Sequence, residues 1–237
     1  MPKTRSPMRK AENHLIESLP REDRRQLQLL CESVELKVGD TLYAPNRPVR
    51  YVYFPIESFI SLAIEAAGHP GLEVGMVGRE GILGGHLALG LAAQPLCASV
   101  QRSGSAWRIR ATAFRRELAR SPALRDRVGR YLYVRMGQMA RALFCMRFHQ
   151  TGPRLARWLL MSQDRAHSVH LLVTHECLSA MLGVRRVGIT VSASTYQREG
   201  LIRYRRGALT VLDRAGLERA ACCCYAADCN AYSAVLA

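Results

Sequence analysis

Negative charge is scarce in this sequence: 19 aspartates and glutamates face 34 lysines and arginines in 237 residues, leaving a formal net charge of +15. That balance disfavours a cationic partner and points to an anionic one, such as nucleic acid, acidic lipid or an acidic protein. Lysine is scarcer still, at Lys3, Lys10 and Lys37 alone. Genomic base composition explains this as well as any preference for bidentate phosphate contacts, so the ratio carries no functional weight. Long apolar runs are missing. The uncharged stretch from Ile82 to Ala98 is interrupted by Gly84, Gly85, His86, Gln94 and Pro95, which excludes an economical membrane span. The first fifteen residues, MPKTRSPMRKAENHL, are basic but have no apolar core, so no secretory signal is expected. Eight cysteines without such a signal imply a reducing compartment and cytoplasmic residence. Also missing are G-x-S-x-G, H-E-x-x-H and a phosphate loop, and with them the usual warrant for an enzyme.

What is present fills a core: 49% of the residues are apolar, enough for one large domain or two ordinary ones. Between residues 12 and 31, Leu15, Ile16, Leu19, Leu27 and Leu30 fall at helical spacing, and Pro20 divides them into two short helices. From Ser33 to Arg110 the texture becomes β: SVELK, YVYF, SFISLAI, LEVGMV and SAWRIR alternate with the turn signals GD, PN, GHPG and GREG. Many short strands at this spacing predict an antiparallel barrel or jelly roll. Between Pro122 and Arg147, residues Val128, Leu132, Met136, Met139, Leu143 and Met146 draw an apolar stripe along a helix of about seven turns. The stripe could pack on its own barrel; its length and methionine content favour a seam between two copies of the chain. The segment HQTGP, His149 to Pro153, is the next strong breaker and marks a domain boundary. The expected architecture is α+β: a sensor-like barrel over residues 1–120, a dimerisation helix over 121–148 and a further domain over 149–237.

The last of these domains reads as helix, turn, helix, hairpin. Thr174 is a suitable N-cap, a short helix ends at Leu182, and Gly183 supplies the left-handed turn. A second helix is predicted from Arg185 or Arg186 to Arg198, with Ile189, Ala193 and Tyr196 on one face and Gly200 beyond its end. Two alternating strands follow, Leu201 to Tyr204 and Ala208 to Leu212, turned at RRG so that arginines tip a wing. This is the order of a winged helix-turn-helix. On that frame Arg185, Arg186, Thr190 and Ser194 are the candidates to read base edges, because arginine at the start of a recognition helix can grip guanine bidentately. Thr174, His175, Arg203, Arg205 and Arg206 are candidates for the DNA backbone. The alternative for the same arginines is a solvated face. Most of the excess charge lies elsewhere: residues 102–147 hold twelve arginines against two acids, while the segment after 148 holds eleven against six.

A barrel of this size, a long helix, and a winged helix carrying LGVRRVGIT and EGLIRYRRGALTVLDRAGLE resemble the Crp/Fnr family of bacterial transcription regulators. The resemblance covers nearly the whole chain and is strongest at Leu178, Leu182, Gly183, Arg186, Ile189, Gly200, Leu201, Ile202 and Gly207, with VGD and MVGREGILGG matching the barrel more loosely. It implies a homodimer on a two-fold symmetric operator of double-stranded DNA, with recognition helices about one helical turn apart, and RNA polymerase as a further partner. It also implies an effector pocket at Gly84, Gly85, His86, Gln94 and Pro95, and a dimer seam through Val128, Leu132, Met136, Met139 and Leu143. Three departures stand out. Where the cyclic-nucleotide binders have a glutamate this chain has His86, and Gln94 and Pro95 replace the Arg-Ser or Arg-Thr pair that holds the cyclic phosphate. The expected effector is therefore a small molecule other than cyclic AMP. Only Cys31 precedes the barrel, so an Fnr-type iron–sulfur cluster is not expected. Val187 and Val191 stand where the family often presents glutamate and a second arginine, so the operator should differ.

Cys222, Cys223, Cys224 and Cys229 crowd the C-terminus. Adjacent cysteines lack the usual two-residue gap of a zinc knuckle, so their expected role is apolar packing of a terminal helix, with no metal or cofactor expected. The alternative is a metal- or redox-responsive sensor or interaction protein that uses these cysteines. His175-Glu176-Cys177 invites a thiol-enzyme reading, which no companion motif supports.

Overall fold

Asn13 caps the first helix and pins it to the barrel. Its Oδ1 accepts from Ile16 N, and its fully buried Nδ2 donates to the carbonyls of Pro55 and Gly81, each 2.9 Å away. The computed structural model describes residues 13–68 and 71–236; the basic segment before residue 13, and His69 and Pro70 of the GHPG turn, lie outside the described residues. Helix α1 (His14–Glu17) and helix α2 (Arg21–Leu30) are separated at Pro20, as their spacing predicts, and they bury Leu15, Ile16, Leu19 and Leu27.

Seven antiparallel strands follow: β1 (Glu32–Leu36), β2 (Thr41–Tyr43), β3 (Tyr51–Pro55), β4 (Phe59–Ile64), β5 (Leu72–Val77), β6 (Cys97–Arg102) and β7 (Gly104–Arg110). They form two sheets, β1-β7-β3 and β2-β6-β4-β5. Leu36, Tyr43, Ile60, Leu62, Val77, Val100 and Ala106 fill one core cluster of this jelly roll. Strands β2 and β6 are additions to the predicted set. A 3₁₀ helix, Gly85–Leu89, covers the barrel between β5 and β6.

Helix α3 (Ala111–Arg120) leads into α4 (Pro122–Phe148), whose 27 residues span about 40 Å. Ser121 Oγ accepts from Leu124 N at 3.0 Å and Pro122 sits in the first turn, a favourable start for a helix. The apolar stripe divides along its length. Val128 is 0% exposed and packs with Phe54, Phe114 and Leu124, so it belongs to the chain's own core and cannot also form a free seam, as its period had suggested. Leu132 is half-buried against that core, whereas Met136 and Leu143 are 69% and 65% exposed and Met139 and Met146 are also solvent-facing. Tyr133, Phe144 and Phe148 enlarge the exposed apolar surface.

Two residues separate α4 from helix α5 (Thr151–Ala166), and Gly152 and Pro153 lie inside the first turn of α5, where a proline lacks no hydrogen bond. The break in the chain is therefore His149–Gln150. Beyond α5 come β8 (His170–Leu172), α6 (His175–Leu182), α7 (Arg186–Arg198), β9 (Ile202–Arg205), β10 (Ala208–Val211), α8 (Arg214–Ala220) and α9 (Cys224–Leu236). Strand β8 is a third, unforeseen member of the wing sheet, which runs β8-β10-β9. Leu155, Leu159 and Leu160 of α5 are fully buried in a core that also takes in Phe59 and Met76 of the barrel and Leu209 and Val211 of the wing. Among the described residues no helix is long and apolar enough to cross a membrane.

Candidate nucleic-acid interface

Thr174 Oγ1 accepts from Cys177 N at 3.1 Å and closes the start of α6. At the other end Gly183 has φ +60°, and the Gly183 and Val184 amides return to the carbonyls of Ala180 and Ser179. Both devices follow from side-chain chemistry: a hydroxyl that caps, and a residue without Cβ that turns left. Arg154 Nη2 donates to the Leu182 carbonyl, placing positive charge at the end of α6. Helix α7 then starts within one residue of its predicted position and buries Ile189, Ala193 and Tyr196, the predicted face.

The opposite face of α7 is open. Arg185, Arg186, Thr190 and Ser194 are exposed, and so are Val187 and Val191, at 66% and 61%. Arg185 is the N-cap and provides no side-chain hydrogen bond there, so its guanidinium is free to reach outward. The wing turns through Arg206 and Gly207, at φ +50° and +82°, between paired Arg205 and Ala208. Two successive positive φ values make the two-residue hairpin turn whose twist matches its strands. Arg203, Arg205 and Arg206 are exposed. Among the described residues, none of the five arginines 185, 186, 203, 205 and 206 is in a salt bridge, while Arg108, Arg120, Arg141, Arg157, Arg165 and Arg214 all are. Unpaired guanidinium groups on a protruding frame present their charge to a partner at little desolvation cost from broken ion pairs.

Two predicted contact residues are engaged internally. His175 stacks on Tyr204 with ring centroids 4.5 Å apart, and its Nδ1 lies 3.1 Å from Thr190 Oγ1. Burial, then the charge of Arg186, hold its pKa below the ordinary histidine value, so it stays neutral at pH 7 and links α6, α7 and wing. Thr190 Oγ1 also donates to the Arg186 carbonyl at 3.2 Å, so its hydroxyl is engaged within the protein. The exposed valines stand at the two positions where the resemblance marks a departure from the family, although they were not among the candidates to read base edges. Their signal was present, since both fall on the face that excludes Ile189, Ala193 and Tyr196.

The proposed effector residues sit elsewhere. Gly84, Gly85 and His86 are buried where the 3₁₀ helix meets the barrel, and the His86 ring lies edge-on to Tyr43 at 6.1 Å. Cavities of about 680, 410 and 130 Å³ open in other places, and none of the three is lined by Gly84, Gly85, His86, Gln94 or Pro95.

Residues 153–220 match the Crp-like helix-turn-helix domain family. That span runs from the first turn of α5 through the wing to the end of α8. The described chain also superposes on solved structures of Crp/Fnr regulators. A protein from Eubacterium rectale, described as a Crp/Fnr-family transcriptional regulator, is similar with a TM-score of 0.67 at 17% identity, over 88% of this chain and 98% of that one. A Crp/Fnr-family regulator from Thermus thermophilus gives 0.64 at 23% identity, over 80% and 98%. The global regulator CLP of Xanthomonas campestris, described as responsive to c-di-GMP, gives 0.65 at 15% identity, over 82% and 100%. The fold is that of the Crp/Fnr regulators. Within it, residues 153–220 are the part similar to the Crp-like helix-turn-helix domain, and they contain α7 with its exposed face. No curated protein matches the chain.

Proposed function

We propose that the protein is a cytoplasmic, homodimeric transcription regulator that binds a two-fold symmetric DNA operator, and that it is not an enzyme. The observation that carries this reading is the set of exposed, unpaired arginines placed on a capped helix-turn-helix and at the tip of its wing. Arg185 and Arg186 contact base edges or the nearest phosphates; Ser194 lies behind them, and the Thr190 and valine side chains offer apolar contact to thymine methyls. Thr174, Arg203, Arg205 and Arg206 hold the backbone, with His175 bracing α7 through Thr190. Residues 1–120 serve as the sensor, 121–148 as the dimerisation helix and 149–237 as the reading head, with RNA polymerase a further partner.

The proposed effector is a small polar molecule other than cyclic AMP. His86 Nε2 and Gln94 Nε2 are buried without partners among the described residues, and burial lowers the His86 pKa, so the segment offers neutral polar groups and no guanidinium for a cyclic phosphate. Selection of bound sites from a random DNA pool tests the main reading. A symmetric consensus with half-sites about ten base pairs apart is expected; no enrichment over the starting pool would overturn it.

A further inference from the structure

Four side chains that are distant in sequence converge where α4 hands over to α5. Cys145 lies in the last turn of α4, His149 is the C-cap of that helix, Cys222 precedes α9 and Cys224 is its first residue. Their ligand atoms, three sulfurs and one imidazole nitrogen, all lie within 4.8 Å of one another. Cys145 Sγ is 3.5 Å from Cys222 Sγ, and Cys224 Sγ is 3.7 Å from His149 Nδ1. A tetrahedral zinc ion, with bonds of about 2.3 Å to sulfur and about 2.1 Å to nitrogen, sets sulfurs about 3.8 Å apart and sulfur and nitrogen about 3.6 Å apart. These two spacings fall within tenths of an ångström of the tetrahedral values, and the remaining pairs, all inside 4.8 Å, need to close by about an ångström at most to enclose one ion.

Apolar packing, the role expected for these cysteines, accounts for the arrangement poorly. Cys145, Cys222 and Cys224 are buried in a small cluster of their own, apart from the three larger cores, and Cys223 and Cys229 are exposed. A Cys145–Cys222 disulfide would leave Cys224 and His149 without a role. The surroundings suit a metal as well. Three thiolates and a neutral imidazole around a divalent ion carry one net negative charge, and the guanidinium of Arg157 bears on all three cysteines. Its Nε is buried without a partner among the described residues, while its Nη2 pairs with Asp228 of α9 at 2.6 Å. Outer donors of this kind steady metal-bound thiolates.

We propose that Cys145, His149, Cys222 and Cys224 form a mononuclear site for a thiophilic divalent cation, with zinc as its best-suited occupant. One ion rather than an iron–sulfur cluster follows from the convergence on a single point, because cluster ligands attach to separate irons. The ion would tie α9 to the junction from which α5 carries the reading head. Cys222 and Cys224 lie beyond the segment that matches the helix-turn-helix family, so the site is an addition to that domain.

The test uses the full chain, reduced, stripped of metal with a chelator and titrated with Co²⁺ and then with Zn²⁺ against a chromophoric competitor. One Co²⁺ per chain is expected, with the near-ultraviolet thiolate charge-transfer bands and the intense visible bands of tetrahedral cobalt, all displaced by zinc. Cys222→Ser, Cys224→Ser and His149→Gln should each weaken zinc binding by more than roughly a hundredfold, beyond the loss of an outer-sphere contact. Cys31→Ser and Cys229→Ser should leave it unchanged, and circular dichroism should show every variant folded. Absence of the charge-transfer bands, or equal loss in Cys229→Ser and Cys222→Ser, would overturn the proposal, as would a Cys145–Cys222 disulfide whose reduction restores no metal uptake. None of these readouts depends on DNA.

Discussion

Trp158 of α5 donates its indole N–H to the carboxylate of Glu73 in strand β5 across 2.9 Å, so the helix that leads into the helix-turn-helix is hydrogen-bonded to the barrel wall. Ser61 Oγ donates to the other carboxylate oxygen. Burial dominates the environment and raises the Glu73 pKa from 4.5 to about 7, against the opposing hydrogen bonds from Ser61 and Trp158 and the charges of Arg165 and Arg135.

A pH dependence follows from that shift. A carboxyl whose folded pKa lies above its unfolded value binds its proton more tightly in the folded state, so its contribution favours folding at low pH and declines as pH rises from about 4.5 to about 7. Glu73→Gln removes the titration and keeps an acceptor for Trp158. The wild-type melting temperature, measured relative to that of the variant, should be higher at pH 5 than at pH 8. Parallel pH profiles for the two proteins would refute the assignment.

Reading and holding should separate by mutation. Arg186→Ala is expected to cost about 1–3 kcal/mol on the selected operator and to relax base preference, whereas Arg205→Ala should weaken all DNA alike and reduce the salt slope by about one unit. Binding isotherms on operator and random duplexes at several salt concentrations distinguish the two. Equal losses on both duplexes for both variants would mean that Arg186 only holds.

The exposed valines predict a methyl requirement. If Val187 or Val191 packs on thymine, replacing one operator thymine by uracil should weaken binding by about 0.8 kcal/mol, or roughly fourfold. The same replacement should be silent in the corresponding valine-to-serine variant. Thymine and uracil operators bound equally well at every position would remove both valines from the reading surface.

On α4, Met136→Glu and Leu143→Glu should dissociate the dimer, raising its dissociation constant by roughly tenfold or more while the melting profile of the monomer persists. Val128→Glu should instead lower the melting temperature sharply, because it buries an unpaired charge in the barrel-side core. Sedimentation velocity combined with thermal denaturation reads both effects. A dimer unaffected by either exposed substitution would place the subunit contact elsewhere.

Local chemistry made the helix-turn-helix and its hairpin legible in advance: Thr174, Gly183 and Gly200 punctuate the chain whatever surrounds them, and the period of α7 exposes its arginines. Strand β8 escaped because three residues, HLL, carry no period and gain their pairing only from β10, more than thirty residues on. Strand β2 escaped for a similar reason, being a three-residue TLY between turns. On α4 the 3.6-residue period identifies an apolar stripe but says nothing of where the barrel stops covering it, and that edge falls between Val128 and Met136. The cysteine and histidine cluster was illegible because Cys145 and Cys222 stand 77 positions apart, and only the fold closes that distance.

The core that runs unbroken from Phe59 and Met76 through α5 to Leu209 has a thermodynamic meaning. A fragment cut at Thr151 would leave the barrel-facing side of Trp158 and its neighbours in water, so the C-terminal segment should not melt as a module of its own. Heat is expected to take barrel and wing apart in one cooperative transition.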